Sequence, residues 1–162
     1  MASRRMFSPQ VVESDAFLDM SLSAQALYFH LGMHADDDGF VNPRKYVRML
    51  GNTDDDLKVL VGKRFLIPSD NGVVVVKHWR MNNYIRKDRY TPTVYLEERS
   101  HLRIKDNMAY TLDENQGMPF DSVPWLSDAD ARSTNGQPTV DPGKVRLGKV
   151  TREDKSSKSK KK

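Results

Sequence analysis

Between residues 42 and 79 the spacing of apolar positions changes from helical to strand-like, and this change organises the chain. Pro43 suits a first helical position, where the N–H it lacks has no partner in any helix, and Tyr46, Val47 and Leu50 follow at helical spacing. Gly51 can take the left-handed conformation that closes this helix. Asn52 or Thr53 can then cap a second helix with the apolar stripe Leu57, Val59, Leu60 and Val61. The apolar runs 65–67 and 73–76 flank Ser69-Asp70-Asn71-Gly72, where Asn-Gly supplies the positive φ of a tight turn, so the pattern predicts a β-hairpin. Helix, turn, helix, hairpin is the order of a winged helix.

Upstream, Phe7, Val11, Val12, Phe17 and Leu18 form a short lead-in, with Pro9 and Ser14-Asp15 able to start helical turns. Ser21 or Ser23 can cap a long helix, 23 to about 35, whose apolar face is predicted as Leu22, Ala26, Leu27, Phe29, Leu31 and Met33. Asp36-Asp37-Asp38-Gly39 reads as a solvated turn ending it. Gly39-Phe40-Val41 is then placed to add a third strand to the hairpin. Downstream, residues 91–99 can start another helical turn, and 102–104 with 110–112 can form a final pair of short strands. From Asp113 the composition shifts to Gly, Pro, Ser, Asp and Asn, which bury too little to offset ordering entropy. The predicted fold class is therefore α+β: a winged helix-turn-helix domain, 1–112, with a disordered C-terminal tail. Within that tail, 113–143 reads as an acidic flexible linker containing an apolar island at 118–126, free to dock on a partner or to pack back on its own domain. Residues 144–162 read as a basic disordered tail.

Charge refines this division. The net charge of the 162 residues is +4, from 26 Lys+Arg and 22 Asp+Glu. Residues 77–105 hold eight Lys/Arg against three acids, 113–143 one against six, and 144–162 nine against two. Two basic zones thus flank an acidic one, and the last, ending in KSSKSKKK, attracts polyanions without specificity. There is no cysteine, which removes disulfide and thiolate chemistry and fits a reducing cytosol. No stretch approaches the ~20 apolar residues that span a bilayer, so a soluble chain with no membrane partner is expected.

Candidate chemistry points to binding. Arg44, Lys45 and Arg48 make a basic helix face, while Lys58, Lys63 and Arg64 lie on the second helix, Asn71 is at the hairpin turn, and Lys77, Arg80, Arg86, Lys87 and Arg89 follow it. All are candidate DNA contacts, each weighed against an ordinary solvated face. Interleaved with them, Trp79, Tyr84 and Tyr90 can stack on bases or fasten the segment to the core, and Asn82 and Asn83 can bond base edges. Asp54-Asp55-Asp56 opposes the simplest version. Carboxylates in a first helical turn are favoured by the helix dipole, each by ~0.3–1 kcal/mol, but a polyanion repels them, so this helix is not expected to enter a groove N-terminus first. His78 reads as structural. His30 and His34 share i, i+4 spacing but lack a third ligand, and the aspartate run does not match a calcium loop. No phosphate-cradling glycine loop, Cys/His cluster or Gly-Xaa-Ser-Xaa-Gly elbow occurs, so no enzyme, cofactor or metal is expected.

Taken together, several strings resemble the N-terminal domain of the phage replisome organisers of Gram-positive hosts, relatives of the DnaD primosome proteins, over residues 4 to about 112. They are Arg5-Met6-Phe7-Ser8, Glu13-Ser14-Asp15-Ala16-Phe17-Leu18-Asp19-Met20, Gln25-Ala26-Leu27-Tyr28-Phe29-His30-Leu31, Ala35-Asp36-Asp37-Asp38-Gly39-Phe40-Val41 and Val76-Lys77-His78-Trp79, with Asn83-Tyr84-Ile85-Arg86-Lys87-Asp88-Arg89-Tyr90. The resemblance implies a winged helix that binds DNA non-catalytically, self-associates, and presents a surface to a helicase or its loader as an initiation complex assembles at a phage origin in the bacterial host cytoplasm. Longer members carry a second helical domain, and none is expected from Asp113 on. Winged helices of this group also serve self-association, in agreement with the three aspartates. An oligomerising protein–protein scaffold and a winged-helix transcription regulator are the alternatives.

Overall fold

The computed structural model describes residues 4–51 and 54–123; the helix cap expected at Asn52 or Thr53, the rest of the acidic linker and the lysine tail lie outside the described residues. The architecture is mixed α+β, with two small antiparallel sheets. Two single helical turns, α1 (Pro9–Val12) and α2 (Asp15–Leu18), bury Val11 and Phe17. Then α3 (Leu22–His34) begins at Ser21, whose hydroxyl accepts from Ala24 N at 3.2 Å. Its buried face is Ala24, Leu27, Tyr28 and Leu31, whereas Leu22, Ala26 and Met33 face solvent. This corrects the predicted face. The helix is apolar nearly all round, so spacing alone does not select a side, and the neighbours packed on it do.

The strand β1 (Phe40–Val41) leads into α4 (Pro43–Leu50), which is capped by Asn42, with Oδ1 accepting from Arg44 N at 3.1 Å, and closed by Gly51 at φ +65°. The fifth helix, α5 (Asp54–Gly62), packs on α3 and α4 and buries Leu60. Next, β2 (Leu66–Pro68) and β3 (Val74–Val76) form the predicted hairpin, with Gly72 N donating to Ser69 O at 3.0 Å. The strand order is β1-β3-β2, with Phe40 and Ile67 both opposite Val75. All three valines of β3 are buried, so both faces of this central strand are covered. Beneath it, Phe17, Tyr28 and Phe65 meet edge to face with centroids 5.3–5.7 Å apart.

The aspartate run is a buried hub rather than a solvated turn. Asp37, with its side chain fully enclosed, meets Arg5 Nη2 at 3.3 Å and accepts from Thr91 N at 3.0 Å. Asp38, 1 % exposed, accepts from Tyr90 Oη at 2.9 Å on both oxygens, from Thr93 N at 2.9 Å, and pairs with Arg99 at 3.5 Å. Half-buried Asp36 accepts from Asp38 N and Phe40 N, and burial raises its carboxyl pKa. Enclosed charges persist only when paired and hydrogen-bonded, and the partners of Asp37 and Asp38 come from distant residues, Arg5 upstream and Tyr90, Thr91, Thr93 and Arg99 downstream.

A single turn, α6 (Trp79–Asn82), follows the hairpin. Asn82 and Asn83 are buried there and accept from Ser8 N at 3.0 Å and Met6 N at 2.9 Å, so they hold the N-terminal segment and are not available to base edges. After a 3-10 turn at Lys87–Arg89 comes α7 (Leu96–Ser100), then a second sheet in which β4 (Arg103–Ile104) lies between β5 (Tyr110–Thr111) and β6 (Met118–Pro119). The strand β6 was not expected, and with it the folded unit passes the predicted boundary at 112. Phe120, 5 % exposed, packs 5.7 Å from Tyr110, so the described part of the apolar island, through Val123, packs back on its own domain. Met118, Phe120 and Val123 carry no periodicity in their polar surround, which is why composition left docking on a partner and packing back both open and placed the segment in a linker. Among the described residues no helix is long and apolar enough to cross a membrane.

Candidate nucleic-acid interface

The amphipathic spacing of α4 turns Tyr46 and Val47 inward, which leaves Arg44, Lys45 and Arg48 exposed on the opposite side. None of the three is in an ion pair among the described residues. Arg44 Nη2 lies 3.9 Å from where a Cβ on Gly72 would stand, so this basic face adjoins the hairpin turn.

At the start of α5 the aspartates have local partners. Asp56 accepts from Ser23 Oγ at 2.7 Å and Ser21 Oγ at 3.3 Å, tying α5 to the start of α3. Asp55 accepts from Lys58 Nζ at 3.0 Å, and this hydrogen bond raises the Lys58 pKa. The Lys58 charge is thus shared with a neighbouring carboxylate, and the N-terminus of α5 stays acidic. At the other end Lys63 and Arg64 are exposed. Arg64 takes φ +63°, the turn that ends the helix and redirects the chain into β2.

The remaining candidates divide. Asn71 is engaged: Oδ1 accepts from Val73 N at 3.0 Å, and Nδ2 donates to Glu98, which ties the turn to α7. Arg80 turns inward, with its guanidinium 4.5 Å from the centre of the Phe120 ring. Arg86, Lys87 and Arg89 are exposed around the 3-10 turn, Arg86 pairing with Asp88 at 3.1 Å. Lys77 is half-buried, and its pKa is lowered by burial first, then by Lys105 and Arg64. Of the aromatics, Trp79 is 1 % exposed and donates from Nε1 to Asp37 O at 2.8 Å, and Tyr90 serves Asp38, so neither is presented to bases. Sequence reasoning missed Lys105, because only the pairing of β4 with β5 brings it beside Lys77.

His78 next to this corner has Nδ1 buried without a hydrogen-bond partner among the described residues. Burial, then the Lys77 charge, push its pKa from 6.5 down to about 4. The folded chain therefore holds this proton more weakly than the unfolded one. The contribution is fully present above about pH 6.5 and is lost as pH falls toward 4. The gap corresponds to about 2–3 kcal/mol at pH 4.5. Urea unfolding at pH 7 and pH 4.5 checks it: His78→Gln should lose that much less stability on acidification than the wild type.

A cavity of about 480 Å3 opens between α4 and residues 91–95, walled by Phe40, Tyr46 and Tyr95, with Lys45 among its lining residues. Its walls are mostly apolar. His30 and His34 stack with centroids 6.3 Å apart, and His34 Nδ1 lies 2.8 Å from His30 O, a helical contact. Among the described residues no group of three His, Asp or Glu side chains is placed to hold a metal ion. Comparison with known proteins returns no matching family model, curated protein or solved structure.

Proposed function

We propose that this chain is a non-catalytic DNA-binding module of the replisome-organiser type, built on a winged helix and acting in the assembly of a replication initiation complex. The observation that carries the reading is the order α3-β1-α4-α5-β2-β3 with β3 central in the sheet, so that β1 caps one edge of the hairpin. This order supports the winged-helix reading, in which the basic face of α4 lies beside the hairpin turn. The acidic start of α5 argues that contact runs through α4, the C-terminal end of α5 and the hairpin rather than through α5 inserted N-terminus first. Replication proteins such as a helicase or its loader, and further copies of the chain, are the protein partners of this reading.

Duplex binding by the full chain across a salt series tests it. Each phosphate contact contributes a slope of about −0.9 in log K against log salt. Replacing Arg44, Lys45 and Arg48 together by alanine should flatten the slope by about 2.7 and weaken binding about 100-fold near physiological salt. Arg86→Ala, Lys87→Ala, Arg89→Ala is the parallel test of the 3-10 turn. An unchanged slope in both variants removes these surfaces from the interface. A wild type with no salt-dependent binding but a stable oligomer by light scattering is the scaffold alternative.

A further inference from the structure

Three backbone hydrogen bonds bring three cations from separate stretches to one corner of the molecule. Lys77 N donates to Phe65 O at 3.0 Å, and Lys77 O accepts from Tyr110 N at 2.8 Å. Arg64 immediately precedes Phe65, and Lys105 N donates to Ala109 O, the residue before Tyr110, at 3.0 Å. Lys77 is thus flanked by Arg64 from the end of α5 on one side and by Lys105 from the β4–β5 turn on the other. The proximity is felt electrostatically, since both neighbours lower the pKa of Lys77.

Among the described residues none of the three forms an ion pair with an acid. Asp113 feels the charge of Lys105, but its carboxyl is held low mainly by Asn115 N and by Gln116. His78, beside Lys77, is neutral above about pH 4 and adds no charge there. Three clustered cations without a matching carboxylate repel one another, and an oxyanion seated among them relieves that repulsion. Arg64 offers a planar fork for two oxygens, and the two lysines offer point charges for a third. A carboxylate would use the fork alone.

We propose that Arg64, Lys77 and Lys105 together hold one backbone phosphate of DNA, which makes the β4–β5 turn a second DNA-contacting element beside the hairpin. The proposal rests on the DNA-binding reading above and adds to it a residue and an element outside the winged-helix order.

The full chain, wild type and Lys105→Gln, is titrated with a short duplex across a salt series, and the Lys77 side-chain pKa is followed by NMR in each form. Loss of one contact should flatten the slope by about 0.9 and weaken binding about 5-fold near physiological salt. Duplex should raise the Lys77 pKa in the wild type and raise it less in the variant. If the wild type binds duplex steeply but Lys105→Gln keeps the same slope, the phosphate site is wrong while the DNA reading stands. If duplex does not bind and inorganic phosphate alone raises the Lys77 pKa, the corner is a free-anion site and both statements fall. If neither ligand moves the Lys77 pKa, the cluster is a solvated face and the proposal is overturned.

Discussion

Asp38→Ala is expected to remove about 3–5 kcal/mol of unfolding free energy, the cost of deleting one partner from a buried ion pair. The carboxylate accepts from Tyr90 Oη and Thr93 N and pairs with Arg99, whose side chain is 16 % exposed. Alanine takes the acceptor from the Thr93 N–H, removes the carboxylate that the Tyr90 hydroxyl donates to, and leaves the largely enclosed Arg99 guanidinium with Asp121 alone, at 3.1 Å, and each lost partner carries a desolvation penalty. The effect also spreads, because Tyr110 Oη donates to Asp38 O and the same loop receives Trp79 Nε1 through Asp37 O. Asp38→Asn keeps the shape and one acceptor oxygen and should fall between alanine and wild type. Urea unfolding followed by circular dichroism measures the midpoint shift, and a midpoint within experimental error of the wild type would exclude the hub as a stabilising element.

One residue on, Gly39→Ala should cost about 3 kcal/mol or more by a different route. Gly39 has φ +91°, which L side chains rarely adopt, and a Cβ there would stand 2.6 Å from Trp79 Cγ. Strain of about 1–3 kcal/mol in the backbone adds to about 1–3 kcal/mol of overpacking against a ring that its own hydrogen bond holds in place. Gly51→Ala is the control. Its φ is +65° with no atom of the described residues within 4 Å of the added Cβ, so only the left-handed penalty of about 1–2 kcal/mol applies. Equal losses in the two variants would show that the indole moves aside and that packing contributes nothing.

Local chemistry was legible in the residues. Pro43 and Gly51 delimit α4, and Asn71-Gly72 places the hairpin turn, because helix starts and positive φ depend on a few consecutive atoms. Phe40-Val41, from the extended segment expected after the aspartate run, joined the hairpin as its third strand. The basic face of α4 was likewise readable, since Tyr46 and Val47 must turn inward and leave Arg44, Lys45 and Arg48 outside.

What failed were assignments of burial and engagement that turned on a distant partner. A run of three aspartates looks solvated until Arg5, Tyr90 and Arg99 arrive from both ends of the domain. Asn82 and Asn83 look like base-reading amides until the N-terminal backbone occupies them, and Phe120 looks like part of a tail until β6 pairs with β4. By itself the sequence determined where α4 begins and ends, where the hairpin turn falls and which face of α4 is basic, because those follow from hydrogen bonds and sterics within a few residues. Only the tertiary structure decided which charges are enclosed, where the folded unit ends and that Lys105 meets Lys77, because burial and Coulomb interactions depend on distance through space and not along the chain.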